Sequence, residues 1–346
     1  MRAAHIVKHG GLDQLKIGEV NDLTLGPNEV LIKTSFAALN HVDLFIIKGW
    51  PGLNLKMPHV IGSDASGIVS DVGDNVSEET IKKGNSVVIN PGLSCGVCYH
   101  CLAGRQNFCR SFSIIGEHQW GTFAEFFKVP QENVLHIPSE YSMEKAAAAP
   151  LTFLTAWRAL KNQAELKVGE TILIQGASGG VSVAAIQIAK YLGANVITTT
   201  SSDVKVRKAR EIGADYAMDY NQIPDYGRYI YNELTNRNGV DVILDSVGSS
   251  TFGDSLRLLK PGGRLVVPGA TTGPLVEIDL RQIFWKQLEI KGTTMSNQVE
   301  FRDVMNLVFE GKLSPIVDDI FEFEDIRNAE TYLSEAKQFG KILITI

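Results

Sequence analysis

No stretch of this 346-residue chain approaches the roughly 20 consecutive apolar residues that span a bilayer. Met1 to Gly11 also lacks an apolar run closed by a small-residue cleavage site. The expectation is a cytoplasmic protein with no membrane partner. No block of like charge forms a tail, and 33 Lys and Arg against 39 Asp and Glu leave a net charge of −6, which gives nucleic acid no long-range attraction. A small-molecule substrate remains the expected partner. Internal repeats and low-complexity segments are absent. Cysteine is scarce, and all four copies fall between Cys95 and Cys109. In a reducing compartment such a cluster points to a metal site before two disulfides.

What is present is enough apolar residue, 44% of the chain, to build more than one core. The first third alternates short β-branched runs (Glu29 to Lys33, Ala65 to Val69, Ser86 to Ile89) with Gly, Pro and Asn punctuation, as in a barrel-like β domain with long loops. From Glu144 a helix begins, is interrupted at Pro150 and resumes through Thr155 to Leu160. Strands then alternate with helices: Thr171 to Ile174, helix Val183 to Leu192, Asn195 to Thr198, helix Val204 to Ile212, Val240 to Leu244 and Arg264 to Val267. This is the βαβ signature of a parallel, doubly wound sheet. The tail from Val299 predicts two helical stretches and a final strand, Lys341 to Ile346, whose return to the first domain would make that domain discontinuous.

Strand Thr171 to Ile174 runs through Gln175-Gly176-Ala177-Ser178-Gly179-Gly180-Val181-Ser182 directly into a helix. A phosphate reaches the backbone there only where side chains are absent, and the N–H groups at the helix start then hold the anion. The fingerprint reads Ala177-x-Gly179-x-x-Ser182, with small residues in place of its first and third glycines. NAD sites usually end the second strand with an acid that binds the ribose diol. Here that strand ends Thr198-Thr199-Thr200-Ser201-Ser202, followed by Lys205 and Arg207. Hydroxyls and a cation suit a 2′-phosphate, so the pattern predicts NADP, with NAD as the alternative. The turns Asp245-Ser246-Val247-Gly248 and Pro268-Gly269-Ala270-Thr271 follow later strands.

Cys95, Cys98, Cys101 and Cys109 have the spacing C-x2-C-x2-C-x7-C. Four thiolates in one loop can enclose a tetrahedral ion with no open position, which makes a structural zinc. An iron–sulfur cluster is the rival, but its compact spacing closes with three intervening residues and a proline, neither present here.

Together these parts resemble the zinc-containing medium-chain dehydrogenase/reductase superfamily over nearly the whole chain. The stretches Ala38 to Asp43 and Ile61 to Gly67, the cysteine lobe, and Gly176 to Ser182 with Gln187 carry the likeness. The resemblance implies an α/β plus β architecture. A GroES-like catalytic domain would span residues 1–152 with a zinc lobe at 91–110, a Rossmann domain with its doubly wound parallel sheet 153–292, and 293–346 would return to the catalytic domain. It further implies a homodimer or homotetramer, and ribose and nicotinamide flanked by the later turns at Val247, Gly269 and Ala270, where relatives place equivalent turns. Zinc alcohol dehydrogenases carry a Cys at the position of Asn40, a His at that of Ser63 and a Cys or acid near Leu151. An amide, a hydroxyl and an alkyl chain are poor substitutes as Zn²⁺ ligands. An unusual site from His41, His59, Asp64 and His118 is the remaining route to a catalytic metal. Asn40 followed by Asp43 is similar to the zeta-crystallin-type quinone oxidoreductases and their enone-reducing relatives, which use NADPH and no metal in the reaction.

Without a Lewis acid, alkoxide chemistry loses several kcal/mol of charge stabilisation. Conjugate reduction of quinones or α,β-unsaturated carbonyls needs less help, because hydrogen-bond donors can hold the developing oxyanion. On this reading Asn40 lines the pocket and contacts nicotinamide or substrate oxygen, and Ser63 or a water supplies a donor. His41 is a candidate proton source, or else a packed or solvent-facing histidine. Asp43 and Asp64 are candidate acid/base groups or, as the family comparison suggests, structural bonds. Trp50 and Trp120 are candidate pocket walls. The competing readings are an alcohol dehydrogenase with a rebuilt metal site and a non-catalytic NADPH-binding protein of the same fold.

Overall fold

The computed structural model describes residues 1–346 and divides the chain into two compact units, Met1–Leu151 with Ser296–Ile346, and Thr152–Met295. No helix is long and apolar enough to cross a membrane.

The first unit is built on a mixed sheet in the order Val134–His136, Ser86–Ile89, Asp64–Val72, Glu29–Ala38, Lys341–Thr345 and Val317–Glu322, with Phe126–Pro130 also pairing with Glu29–Ala38. A smaller sheet joins Leu15–Glu19, Arg2–Ile6 and His59–Val60. Glu29–Ala38 changes register at Leu31/Ile32 and again at Thr34/Phe36 against Asp64–Val72, the irregularity that lets one long strand bend and serve several partners. The apolar core gathers Ile6, Ile32, Ile61, Phe123, Phe127 and Ile344, each at most 2% exposed. At about 1.5–3 kcal/mol per large side chain, such burial is the main force holding the unit together. The last strand, Lys341–Thr345, pairs antiparallel with Glu29–Ala38 through Leu343 and Ala38, so a segment from the end of the chain completes the sheet of its beginning. Two short helices, Met143–Ala147 and Pro150–Trp157, replace the single interrupted one, with Pro150 at the first position of the second, where its missing N–H leaves no partner unsatisfied.

The second unit is a six-stranded sheet, parallel throughout. Its strands are Thr171–Ile174, Asn195–Thr200, Tyr216–Asp219, Val240–Leu244, Leu259–Val267 and Glu289–Gly292. Numbered along the chain within this unit, they lie in the order 3-2-1-4-5-6. That order reverses between Thr171–Ile174 and Val240–Leu244, and the carboxyl ends of strands at such a reversal are where doubly wound sheets bind nucleotides. The central strands Thr171–Ile174 and Val240–Leu244 read as apolar runs because both of their faces are buried.

Candidate active site

Helix His41–Lys48 begins with Asn40 as its N-cap, and the Asp43 carboxylate reaches back so that Oδ2 accepts from the Asn40 N–H at 2.7 Å. The neighbouring loop Ile61-Gly62-Ser63 makes its turn at Gly62, φ +97°, where a Cβ would lie 2.3 Å from the Phe123 ring; only glycine fits. The loop delivers Asp64 to the interior. Asn40 and Asp64 meet there with Lys341, whose Nζ donates to Leu39 O and Asn40 Oδ1 at 2.6 Å and to Asp64 Oδ2 at 3.3 Å. Asn40 Nδ2 donates to Asp64 Oδ2 at 3.0 Å and to Ala38 O at 3.2 Å, and Asp64 Oδ1 accepts from Leu151 N at 2.9 Å. All three side chains are buried. Burial pulls the Lys341 ammonium below the ordinary lysine range, against the pull of Asp64 and Asp43.

This geometry revises the expected part of Asn40. Both of its N–H donors and its carbonyl oxygen are engaged inside the unit, so its amide offers no donor to a substrate oxygen. Ser63 differs: it is fully buried and its Oγ has no partner, an unsatisfied donor that asks for a ligand. His41 is half-buried, and desolvation followed by the charge of Lys341 pulls it down to about 4. At neutral pH it is an uncharged imidazole and a weak proton source. Trp120 donates Nε1–H to Pro58 O at 3.0 Å, while Trp50 is 40% exposed.

A catalytic zinc does not fit these residues. Asn40 Oδ1 already faces an ammonium that repels a dication, Ser63 brings a neutral hydroxyl and Leu151 an alkyl chain. Nor do His41, His59, Asp64 and His118 converge: His59 Nε2 is engaged with Gly116 O at 2.8 Å and Asp64 belongs to the Lys341 hub. The one group of three or more His, Cys, Asp or Glu side chains poised for an ion is Cys95, Cys98, Cys101 and Cys109, whose sulfurs all lie within 4.8 Å of one another. Their separations of 3.5 Å (Cys98–Cys101 and Cys95–Cys109) and 3.9 Å (Cys95–Cys101) match the about 3.8 Å edge of a tetrahedron with 2.3 Å metal–sulfur bonds. The N–H groups of Val97 and Cys98 pull the Cys95 thiol down to about 6, toward the thiolate that binds metal.

In the second unit, helix Gly180–Tyr191 starts at Gly179 with no side chain capping its N–H groups. Gly176, at φ +71°, makes the left-handed turn out of the strand. A Cβ on Gly179 would meet nothing closer than Gly176 O at 3.9 Å, so the open space beside the bare helix start is not required by the protein's own packing. Uncapped N–H groups at a helix start suit an anion. Ala177 is buried and its N–H bonds Thr199 O, while Ser182 Oγ donates to Gln175 O; both brace the turn. Ser178, Gly180 and Val181 are half-buried at its rim. Around the expected 2′-phosphate position, Thr200 Oγ1 is buried without a partner and Lys205 Nζ lies 3.4 Å from Ser178 Oγ. Ser202 caps the helix Asp203–Glu211, and Ser201 is half-buried beside it. The later turns are tied together by Thr272 N–H to Val247 O at 2.8 Å, and Gly269 and Ala270 are half-buried.

Two organising residues were read in the sequence only for their place in an element. Asp245, fully buried, accepts from Val247 N, Gly248 N, Thr251 Oγ1 and Ser255 Oγ and so shapes the turn that follows its strand. Lys341 read only as the start of a strand. A lysine opening an otherwise apolar terminal run was the available signal.

Against known proteins, residues 26–139 match the alcohol dehydrogenase GroES-like domain and residues 180–310 the zinc-binding dehydrogenase family. A zinc-type alcohol dehydrogenase-like protein of Schizosaccharomyces pombe is 32% identical over 97% of this chain and 96% of its own length. The acryloyl-coenzyme A reductase of Metallosphaera sedula is 30% identical over 98% of this chain and 99% of its own. Among solved structures, that of an NAD-dependent alcohol dehydrogenase superposes with a TM-score of 0.95 at 39% identity, covering all of both chains.

Proposed function

The chain belongs to the zinc-binding dehydrogenases of the medium-chain dehydrogenase/reductase superfamily and is an oxidoreductase, and from that premise we propose that it reduces quinones or α,β-unsaturated carbonyl compounds with NADPH. The observation that carries this reading is the Lys341 ammonium bonded to Asn40 Oδ1 at 2.6 Å, in the hub where a metal-dependent alcohol dehydrogenase would need free ligands. The M. sedula acryloyl-coenzyme A reductase, by its name a reductase of an α,β-unsaturated thioester, supports the same substrate class.

A bound nicotinamide cofactor supplies the hydride. The chain's own residues do the rest. Ser63 Oγ–H, buried and without a partner, is the donor for the substrate oxygen on which negative charge develops. Asn40 is a positioning residue, locking the Ala38–Asp43 loop through Lys341 and Asp64. His41, neutral at pH 7, offers its ring N–H as a hydrogen-bond donor, and the proton that completes the reduction comes from water. The bare N-terminus at Gly179 to Val181 holds the diphosphate, and Thr200, Ser201, Ser202 and Lys205 receive the 2′-phosphate. The four cysteines hold one zinc that cross-links their lobe. A second copy of the chain is expected against the edge strand Glu289–Gly292, beside which Trp285 is 83% and Phe284 62% exposed.

Alcohol oxidation with NAD is the second reading, favoured by the 0.95 TM-score to an NAD-dependent alcohol dehydrogenase. Steady-state assays separate the two. The proposal expects NADPH oxidation with quinones and enones to exceed NAD⁺ reduction with alcohols in kcat/KM; the reverse order rejects it.

A further inference from the structure

Helix Ile326–Ser334 carries a residue with no part in the reaction as proposed. Its buried residues, Ile326, Ala329, Glu330 and Leu333, form the i, i+3, i+4, i+7 face of an amphipathic helix, and Glu330 stands on that face fully buried. Neither of its carboxyl oxygens has a hydrogen-bond partner. The helix packs on His41–Lys48, from which Asp43, also fully buried, leaves Oδ1 without a partner while Oδ2 caps Asn40. Strand Lys341–Thr345 adds the Lys341 ammonium, and Asp64 is paired with it at 3.3 Å. His41, on the Asp43 helix, is the remaining titratable group that feels Lys341. Four elements therefore bring three carboxyl groups and one ammonium into one interior.

One cation does not compensate three buried anions, and Asp64 has the direct contact with it. A carboxylate with neither a donor nor its own counter-ion takes up a proton. Protonation converts an acceptor-only group into a donor, and the unmatched acceptor on the adjoining helix is Asp43 Oδ1. We propose that Glu330 is a proton-bearing positioning residue: its carboxylic acid O–H donates to Asp43 Oδ1, fixing the side chain whose other oxygen holds the Asn40 N–H. One proton then serves the pair. Burial and the negative charge of Asp43 both raise Glu330 well above the ordinary range, and burial raises Asp43 to about 7, opposed by the Asn40 N–H and Lys341.

The sign follows from linkage. A carboxyl group raised in the folded state contributes fully below its unfolded pKa and loses that contribution as pH rises through the folded value. Thermal unfolding of the full chain without substrate, from pH 6 to pH 9.5, tests this in wild type, Glu330→Gln and Glu330→Leu. Glutamine keeps an N–H donor at every pH; leucine fills the space without one. The proposal expects the wild-type midpoint to fall by about 3 °C or more relative to E330Q across that range. The activity arm rests on the reductase reading: kcat of wild type should fall over the same window, that of E330Q should not, and E330L should lose about tenfold in kcat with the nucleotide KM unchanged. Coincident pH curves for wild type and E330Q, or an E330L protein at least as stable as wild type at pH 6, overturn the proposal. If E330L does not fold, the wild-type and E330Q curves decide alone. Absence of reductase turnover would reject the functional reading and leave the thermal arm intact.

Discussion

Replacing Lys341 with methionine keeps most of the side-chain volume and removes the charge at the centre of the Asn40–Asp64 hub. The ammonium makes three hydrogen bonds, to Leu39 O, Asn40 Oδ1 and Asp64 Oδ2. At about 1.5–3 kcal/mol for each bond to a charged group, their sum would be about 4.5–9 kcal/mol. Desolvation lowers that figure, since burial depresses the Lys341 pKa despite the carboxylates around it. Asp64 also keeps Asn40 Nδ2 and Leu151 N after the substitution. The expected loss is therefore about 3 kcal/mol, the lower end for breaking a buried pair from one side. Urea unfolding followed by tryptophan fluorescence reads it, with Trp50 and Trp120 in the unit that contains the hub. In a double-mutant cycle Asp64→Asn should recover at least about 1 kcal/mol of the loss, because much of the damage is an anion left without its cation. A loss under about 1 kcal/mol for Lys341→Met, with additive behaviour in the cycle, would refute the hub as the organiser of this region.

Gly179→Val puts its Cβ where the nearest protein atom is Gly176 O at 3.9 Å, so stability should fall by no more than about 1 kcal/mol, the cost of a poorer N-cap, while NADPH affinity falls at least about tenfold by titration. Equal losses of both would mean the space belongs to the fold. Ser201→Asp restores an acid near the end of the second strand of the nucleotide unit and should shift the NADPH-to-NADH preference in kcat/KM about tenfold toward NADH; an unchanged ratio would remove the hydroxyl cluster from cofactor selection. Cys95→Ser should lower both zinc content and thermal midpoint, and a variant that keeps full zinc would exclude Cys95 as a ligand.

What sequence could express, it expressed through local pattern. Strands Thr171–Ile174 and Val240–Leu244 have the bounds that their apolar runs suggest, since a strand covered on both faces announces itself without help from distant residues. The cysteine lobe is legible for a similar reason: 15 residues contain the whole cluster. Strand Leu259–Val267 begins earlier than the Arg264 to Val267 run, because Lys260-Pro261-Gly262-Gly263, which has no strand-favouring side chain, lies inside it at a register shift. Val317–Glu322, half polar at an edge of the sheet, gave no run to detect. The hub was the least legible part. Lys341 and Asn40 are 301 residues apart, and nothing in the Asn40 segment reveals that its amide will be fully engaged by partners from elsewhere. Glu330 sat in plain view at helical spacing with Ile326, Ala329 and Leu333, but a charged residue on an apolar stripe is ordinarily assigned to the water-facing side.

The central claim is that the substrate oxygen is activated by hydrogen-bond donors beside a hub closed by Lys341, with metal confined to the cysteine lobe. The most direct measurement is the metal content per chain of purified enzyme while it turns over an enone or quinone with NADPH. The account predicts one zinc per chain and a turnover rate that does not respond to added zinc. Two tightly held metals per chain, with turnover lost and regained as the second leaves and returns, would contradict it.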